Sequence, residues 1–501
     1  MSTPLSTQVL IIGAGPVGLS LAKLLGVEGV DTVLVERHPG CVPEPRAIGL
    51  DGESMRTYQA AGVAAAVAAD MNEGFVSEYF SGDGTFLFRT DLRDRPFGYC
   101  MQNAFDQPRL ERTLLEHLGH EPSVSVRHNT TLLDFEQDVA GVTARLETPD
   151  GQTTLKADFL VACDGGRSSV RTALNIPMQG DRLPQKWLVI DTVEEGDHDL
   201  PECRFYCDPA RPAMTLRRPY GERRWEWMLM PGETDEALLD DARIRELLGA
   251  HTDPDRVRVY RKCVYGFSAV VAERFSEGRV FLAGDAAHMT PPFAGQGLNS
   301  GVRDARNLAW KLAWVLDERL PATVLDSYDT ERREHARRMV NLAVGLGDRI
   351  QPIDATAAAE RDAYFAAINA DDAARAKYDQ QSGRELRDVR LADGWFDAAA
   401  FGGRMILQPA LADGSLLDDH LGPDFVALAI GGATPSDAMA NHPLWQQLSP
   451  KLVDIDALKL NAQDLLPALP DEPAILLLRP DRIVLARLDG ADSDRLDRLR
   501  P

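Results

Sequence analysis

The sequence is poor in basic residues for its length. Its 501 residues include 54 Lys and Arg against 77 Asp and Glu, which gives a formal net charge of −23. Because nucleic acid and anionic lipid attract basic surfaces, this charge argues against both as partners. Hydrophobic residues make up 44% of the chain and charged residues 26%, which predicts an ordinary globular protein.

The chain also has few cysteines and no long hydrophobic run. The six cysteines include no Cys-x-x-Cys pair, so we expect reduced thiols in a cytoplasmic protein. Cys203 and Cys207 have no histidine or cysteine partners at ligand spacing, so no metal site is expected. The longest uncharged stretches, Val9–Ala22 and Gln59–Ala69, are shorter than the ~20 residues that a membrane helix needs. The N-terminus has no basic segment followed by an apolar run, so no secretory signal is expected.

A glycine motif near the N-terminus predicts a dinucleotide site. The apolar run Val9–Ile12 is typical of a buried strand, and the motif Gly13-x-Gly15-x-x-Gly18 follows it and opens a predicted helix. Glu36 ends the next predicted strand, where a carboxylate can accept both hydroxyls of an adenosine ribose. The helix N-terminus would supply N–H donors to phosphates. This pattern predicts dinucleotide binding, but it does not separate NAD from FAD.

Two further glycine–aspartate motifs follow predicted strands. Asp164-Gly165 comes after the strand Asp158–Cys163, and a nearby serine can cap the helix that follows. Gly284-Asp285 comes after the strand Arg279–Ala283, and a Pro/Gly loop then leads into a strongly amphipathic helix over Gly297–Leu316. The N-terminus of that helix can stabilise negative charge on a bound ring.

The hydrophobic pattern predicts an α/β fold (α+β overall) with three domains. Residues 1–75, 106–180 and 273–390 form a discontinuous Rossmann-like nucleotide-binding domain with long helices at its end. Alternating residues in 76–105 and 181–272 predict an antiparallel-sheet domain that interrupts it. Residues 395–501 predict a separate small α/β unit.

The order of the three motifs resembles that of the single-component FAD-dependent aromatic hydroxylases, the p-hydroxybenzoate hydroxylase class. The resemblance covers about residues 8–345, and shorter matches are similar to the branch of this class that hydroxylates 3-(3-hydroxyphenyl)propionate. Those matches are Pro45–Gly49, Asn103–Pro108, Leu160–Gly166, Cys207–Pro212 and Met230–Thr234. The chain departs from that branch at Thr290–Ala294, which reads Thr-Pro-Pro-Phe-Ala in place of Met-Pro-Val-Trp-Gln.

The resemblance implies a set of FAD-binding residues. The ADP half of FAD would be held by Gly13, Gly15, Gly18, Glu36 and Arg37. Arg46 and Gln107 would lie near the ribityl and pyrophosphate region, and Asp164 would support FAD and the approach of the pyridine nucleotide. Asp285 would bind the ribityl chain. The isoalloxazine would receive backbone hydrogen bonds from Gly295, Gly297, Leu298 and Asn299.

The resemblance also implies the activity. NADH or NADPH would reduce FAD, O2 would form a flavin C4a-hydroperoxide, and a phenolic substrate such as a 3-(3-hydroxyphenyl)propionate-like acid would gain a ring hydroxyl. Two alternatives stay open at this point: a flavin hydroxylase of a larger natural-product or antibiotic ring, and a non-catalytic FAD-binding sensor or scaffold. The C-terminal unit resembles a thioredoxin-like domain without Cys-x-x-Cys, and a homodimer is a possible assembly.

The candidates for substrate contact are less specific. On one predicted strand Trp225 and Trp227 share a face and Met228 lies on the other, while Met289 and Phe293 lie beside the third motif. His288 and Pro292 are candidate catalytic helpers, although a histidine in such a loop is more often a structural hydrogen-bonding group. A second hypothesis is a clamp for a substrate carboxylate among five arginines, which are more often a solvated face: Arg211, Arg217, Arg218, Arg223 and Arg224.

Overall fold

The computed structural model describes residues 5–194, 200–387, 390–489 and 493–499 of the chain. The strands in these residues, in chain order, are β1 Leu5–Ile12, β2 Thr32–Val35, β3 Gly49–Asp51, β4 Met71–Asn72, β5 Val76–Ser81, β6 Phe86–Asp91, β7 Gln102–Phe105, β8 Val124–Arg127, β9 Thr131–Gln137, β10 Val142–Thr148, β11 Gly151–Ala162, β12 Met178–Glu194, β13 Cys203–Cys207, β14 Ala213–Arg217, β15 Glu222–Met228, β16 Val257–Ala272, β17 Ser276–Glu277, β18 Val280–Leu282, β19 His288–Met289, β20 Val426–Ile430, β21 Lys451–Asp454, β22 Ala474–Leu478 and β23 Val484–Leu488.

The α-helices of the described residues alternate with these strands or follow them. They are α1 Pro16–Val27, α2 Gly52–Ala60, α3 Ala64–Ala68, α4 Gln107–Leu118, α5 Ser169–Ala173, α6 Asp235–Leu238, α7 Asp241–Gly249, α8 Gln296–Leu316, α9 Asp326–Ile350, α10 Ala355–Asn369, α11 Asp372–Arg387, α12 Leu417–Leu421, α13 Asp437–Ala440, α14 Pro443–Leu448, α15 Ala462–Leu465 and α16 Ser493–Leu496. Within the described part of the chain, no helix is both long enough and apolar enough to cross a lipid bilayer.

The first large sheet contains the predicted βαβ unit. Its strand order is β17–β18–β11–β1–β2–β8, and β1 pairs in parallel with both β11 and β2. Helix α1 connects β1 to β2. It packs so closely against α8 that a Cβ on Gly301 of α8 would collide with the side chain of Val17 of α1. The carboxyl ends of β1, β2, β11 and β18 therefore lie at one edge, where ligands bind in open α/β sheets.

The second large sheet is built mainly from the two segments in which side chains alternate. Its order is β19–β16–β12–β15–β14–β13–β5–β6, and all its neighbours are antiparallel except the pair β13 and β5. A smaller sheet, β3–β7–β4, contributes residues from segments 49–72 and 102–105. The alternating pattern thus correctly predicts the strands of this sheet.

The C-terminal segment forms a four-stranded sheet in the order β21–β20–β22–β23. It is joined to the long helices by a buried ionic cluster in which Glu331 accepts from Arg479 at 2.6 Å and from Lys311 at 2.9 Å. Phe425 packs edge-on against Trp314, with ring centroids 4.7 Å apart. The division of the chain into three domains and the thioredoxin-like character of this segment stay predictions.

Candidate active site

A cavity of about 590 Å³ lies between the carboxyl edge of the first large sheet and one face of the second. Its lining includes parts of all three glycine–aspartate motifs, represented by Gly13, Asp164 and Asp285. It also includes aromatic residues of the second sheet, such as Tyr79 and Phe205. The cavity therefore has two ends, here called the dinucleotide end and the aromatic end.

The N-terminal turn can be built only with glycine at two of its three motif positions. Gly13 has φ +102°, and a Cβ there would lie 2.5 Å from the carbonyl oxygen of Cys163. A Cβ on Gly18 would collide with the carbonyl oxygen of Gly13, so Gly18 serves helix packing and does not line the cavity. A Cβ on Gly15 would meet no atom within 4 Å, because this residue faces open space at the start of α1.

Glu36, at the end of β2, lines the cavity next to the glycine turn. The Glu36 carboxylate accepts the Ala14 N–H at 2.9 Å through Oε2 and the His38 N–H at 2.9 Å through Oε1. These bonds hold the carboxylate at the edge of the cavity, which Arg37 and Arg46 also line. Each carboxylate oxygen keeps acceptor capacity for a further donor.

Asp164 has one engaged oxygen and one without a partner. Its Oδ2 accepts the Ser169 N–H at 2.8 Å, and Ser168 caps α5 by accepting the Arg171 N–H at 3.0 Å. Its Oδ1 is buried and has no hydrogen-bond partner in the described structure, although the residue lines the cavity. Such an orphaned acceptor indicates that a donor from a ligand belongs there.

Asp285 and the start of α8 form the middle of the cavity. Asp285 lines the cavity, and burial raises the pKa of its carboxyl, an effect that the charges of His288 and Arg46 oppose. Gly295 adopts φ +62° and begins α8 without a side-chain cap, so the first N–H groups of the helix stay available. Gly295, Gly297 and Leu298 line the cavity.

Asn299 does not line the cavity, but its side chain hydrogen-bonds to two segments next to it, residues 49–54 and Gly295. Its Nδ2 donates to the carbonyl oxygens of Gly295 at 2.6 Å and Gly49 at 3.2 Å. Its Oδ1 accepts from the Asp51 N–H at 3.0 Å and the Ser54 hydroxyl at 2.8 Å. These side-chain bonds give Asn299 a positioning role, and the backbone hydrogen bond to the isoalloxazine that the resemblance implies for it stays a prediction.

Gln107 lines the cavity and leads to a carboxyl group that the sequence analysis missed. Its Oε1 accepts the Ala47 N–H at 2.9 Å, and its Nε2 donates to Glu111 at 2.8 Å. Burial raises the pKa of Glu111 to about 7, with partial opposition from the Gln107 hydrogen bond. The spacing of Gln107 and Glu111, one helical turn apart on α4, is the only sequence signal for this pair.

The aromatic end is a face of the second sheet. Cross-strand pairing places five lining residues side by side across five strands: Glu226, Met214, Phe205, Tyr79 and Phe88. The Tyr79 ring stacks on Phe205 at 4.7 Å and on Phe88 at 3.9 Å between centroids. We call these five residues the aromatic row.

The predicted substrate residues are divided between the two faces of this sheet. Trp225 and Trp227 are buried on the opposite face, where they pack with His251, and they do not line the described cavity. Alternation along β15 explains this correction, because the cavity face carries Glu226 and the pattern alone does not say which face is which. Met228 is also outside the lining and packs in the core near Trp187.

The third motif places its predicted residues in different surroundings. Phe293 lines the cavity and meets Trp187 with ring centroids 5.8 Å apart, and Pro292 lines it as well. Met289 lies outside the lining and pairs with Val270 of β16.

His288 lies outside the cavity, contrary to the hypothesis of a catalytic helper. It is fully buried, and its Nε2 lies 2.7 Å from Oδ2 of Asp304, which also accepts the Gly284 N–H at 3.0 Å. These bonds fix the loop that carries Asp285.

The structure gives no support to the second hypothesis, a carboxylate clamp among the arginines around β14 and β15. Four of the five arginines are paired with carboxylates: Arg211 with Glu233, Arg218 with Asp106, Arg223 with Glu194, and Arg224 with Asp191. Arg217 is exposed and does not line the cavity. Arg224 does line the cavity, but it also donates to the carbonyl oxygens of Pro45 and Arg46, so its role is to hold the neighbouring loop.

The geometry fits a dinucleotide cofactor at the end formed by the glycine motifs. Two helix N-termini without side-chain caps, at Gly15 and Gly295, open onto the cavity, and both favour negative charge. The unpartnered Oδ1 of Asp164 adds an acceptor to this surface. Among the described residues, no group of three or more His, Cys, Asp or Glu side chains could hold a metal ion.

Comparison with known proteins identifies the family. A family described as "FAD binding domain" matches residues 6–343. The chain is 40% identical over 460 residues to 3-(3-hydroxy-phenyl)propionate/3-hydroxycinnamic acid hydroxylase 2 of Burkholderia vietnamiensis, covering 90% of this chain and 84% of that protein. It is 38% identical to the corresponding hydroxylase of Comamonas testosteroni, with coverage of 89% and 85%.

Solved structures share the fold over almost the whole chain. Aklavinone-11 hydroxylase in complex with FAD and aklavinone superposes with a TM-score of 0.79 at 26% identity, covering 100% of this chain and 99% of that one. The flavin-dependent monooxygenase PieE superposes with a TM-score of 0.80 at 23% identity, covering 99% of each chain, and shows the fold alone. The predicted α/β fold is thereby confirmed. The chain belongs to the family of FAD-binding aromatic hydroxylases, and it is a flavoprotein monooxygenase with FAD as its cofactor.

Proposed function

We propose that the protein hydroxylates a phenolic acid of the 3-(3-hydroxyphenyl)propionate class, with NADH or NADPH and O2 as co-substrates. The observation that carries this proposal is the continuity of one cavity from the three glycine–aspartate motifs to the aromatic row. A ring bound on that row would lie in the same cavity as the cofactor. The curated relatives, whose names specify phenylpropanoid acids, support this substrate class.

The dinucleotide end holds FAD through backbone groups and a few side chains. The N-terminus of α1 would bind the pyrophosphate, and Glu36 would accept from the adenosine ribose. Asp285 would accept from the ribityl hydroxyls, and the N–H groups at the start of α8 would stabilise negative charge on the ring system. FAD, when bound, accepts a hydride from the pyridine nucleotide and activates O2.

The aromatic row orients the phenol ring. Phe205, Tyr79 and Phe88 form a continuous stack against which an aromatic ring can lie. Glu226 stands at one end of the row, and its carboxyl group has no hydrogen-bond partner among the described residues. Burial raises the pKa of this carboxyl, and Arg224 opposes that effect. Glu226 is therefore available to a hydrogen-bond donor on a ring that stacks at its end of the row.

One alternative keeps the cofactor and changes the substrate to a larger ring. The match to aklavinone-11 hydroxylase over the full chain favours this alternative, but the relatives at about 40% identity favour the phenolic acid. A non-catalytic FAD-binding scaffold has less support, because the curated relatives are hydroxylases by name. A cytoplasmic location and a homodimer stay predictions.

The experiment is a substrate panel with purified, FAD-loaded protein. Oxidation of NADH and of NADPH is followed at saturating O2 with phenolic acids, neutral phenols and one anthracycline-type ring, and products are identified by mass. We expect stimulation by 3-(3-hydroxyphenyl)propionate and a product heavier by one oxygen. Turnover of the large ring alone would favour the alternative, and stimulation by no compound would contradict the proposal.

A further inference from the structure

Arg349 lies on the one face of α9 that borders the cavity. Leu342, Leu346 and Arg349 all line the cavity, and their spacing of four and three residues places them on the same side of the helix. From Leu342 to Arg349 the cavity runs along two turns of α9, roughly 10 Å at 1.5 Å per residue. Arg349 is the last of these three lining residues.

The guanidinium of Arg349 has no carboxylate partner in the described residues. Arg349 is an exposed residue that lines the cavity, and its single side-chain hydrogen bond in the described residues goes from Nη1 to the hydroxyl of Tyr378 at 3.5 Å. At the same end of the cavity, Arg224 is already paired with Asp191. Arg349 is thus the cation at the aromatic end that is available to an anionic ligand.

Arg349 and Glu226 lie at opposite ends of the aromatic row. Tyr378 packs edge-on against Phe88, the last member of the aromatic row, with ring centroids 5.7 Å apart. Glu226 stands at the other end of that row, with the strands of Met214, Phe205 and Tyr79 between them. A small phenolic acid stacked at the Phe88 end of the row therefore lies beside this cation, whereas Glu226, four strand spacings or roughly 19 Å away, is beyond its reach.

We propose that Arg349 binds the carboxylate of the phenolic acid substrate and thereby selects acids over neutral phenols. A guanidinium presents two parallel N–H donors that match a carboxylate, and Nη1 of Arg349 lies 3.5 Å from the hydroxyl of Tyr378, which packs against the aromatic row. The proposal rests on the proposed function, since it assigns a recognition group for that substrate class. It replaces the clamp that the sequence suggested on β14 and β15, where the arginines are paired with protein carboxylates.

The test compares an acid with its neutral analogue in FAD-loaded variants. KM and kcat are measured for 3-(3-hydroxyphenyl)propionate and for its primary amide with wild type, Arg349→Met, Arg349→Lys and Arg337→Met. Arg337 is the matched control, because it lies on the same helix, pairs with Glu334 at the surface and does not line the cavity.

For Arg349→Met we expect KM for the acid to rise on the order of 10- to 100-fold, the cost of losing a charge-assisted bidentate contact. KM for the amide should change less than about threefold, and Arg349→Lys should recover part of the affinity for the acid. Arg337→Met should behave as wild type. An unchanged KM for the acid, or an equal rise for acid and amide, would overturn the assignment of Arg349.

Wild-type data separate this inference from the proposed function. If wild type hydroxylates the acid and Arg349→Met still prefers the acid over the amide, the substrate class stands and the role of Arg349 is wrong. If wild type hydroxylates neither compound, the proposed function itself fails and the inference fails with it. FAD content and circular dichroism of each variant show whether the protein has folded with its cofactor.

Discussion

The two ends of the cavity are built by different means. At the dinucleotide end, the uncapped N-termini of α1 and α8 open onto the cavity, and the turn before α1 admits no side chain at Gly13 or Gly18. At the aromatic end, side chains from six strands and from α9 and α11 form the surface, and no two adjacent residues of one strand share it. A site formed by backbone groups can therefore be recognised from short local motifs. A site formed by side chains of several strands depends on the order in which those strands pair.

The largest expected effect concerns the glycine turn of the dinucleotide end. Gly18→Ala places a Cβ against the carbonyl oxygen of Gly13, so α1 and β1 must separate, and we expect a loss of several kcal/mol of stability together with FAD binding. Gly15→Ala is the matched control, because its Cβ would meet no protein atom within 4 Å. The apoprotein of this variant should unfold at nearly the wild-type urea concentration, while its FAD affinity falls. Equal stability losses in the two variants would contradict the claim that the contact between a Cβ at residue 18 and the carbonyl oxygen of Gly13 is what excludes a side chain there.

An intermediate effect is expected at the aromatic end. Phe205→Leu removes a ring that stacks on Tyr79 and lines the cavity, so kcat/KM for the phenolic acid should fall about 3- to 10-fold, as for the loss of one aromatic contact. FAD content should stay at the wild-type level. Tyr206→Leu is the control on the next residue of β13, which packs against His251 on the opposite face. If Tyr206→Leu lowered kcat/KM as much as Phe205→Leu, the assignment of the cavity face would be contradicted.

These contrasts explain how far the sequence alone predicts the structure. Local patterns are sufficient for the βαβ unit, for the helix predicted over Gly297–Leu316 and observed from Gln296, and for β22. The alternation of Trp225, Glu226 and Trp227 was also predicted, but the cavity lies on the Glu226 side. That choice depends on strand pairing between residues more than a hundred positions apart, such as Phe205 and Tyr79, and no local pattern contains it.

The same limit applies to charged residues. The arginines around β14 and β15 form a cluster in the sequence, yet their partners Asp106, Asp191 and Glu194 come from other segments and neutralise them. Arg349 has no such cluster around it, and only the fold brings it to the cavity.

A further effect concerns the pH dependence of stability and involves Glu111, which lines the cavity. The pKa of Glu111 is raised from 4.5 to about 7, so the folded protein holds a proton there that the unfolded chain releases. The contribution of this group to stability is therefore fully present below about pH 4.5 and declines as pH rises to about 7. Glu111→Gln should remove this decline, which amounts to about 1–3 kcal/mol.

Urea unfolding at pH 5.5 and pH 8 measures this effect. Relative to wild type, Glu111→Gln should be more stable at pH 8 than at pH 5.5. Glu116→Gln, on the exposed face of the same helix, is the control and should show the wild-type pH dependence. Parallel pH profiles for wild type and Glu111→Gln would contradict the buried, protonated state of this carboxyl.

The central claim is that one cavity brings the cofactor and an aromatic substrate together. The most direct test is whether an oxygen atom of O2 enters the substrate ring. FAD-loaded protein is supplied with NADH, 3-(3-hydroxyphenyl)propionate and ¹⁸O2, and the product is analysed by mass spectrometry. We predict one ¹⁸O atom in the new ring hydroxyl, with product formed in near-equal amount to the NADH consumed. Unlabelled product, or NADH consumption that yields only hydrogen peroxide, would contradict the account.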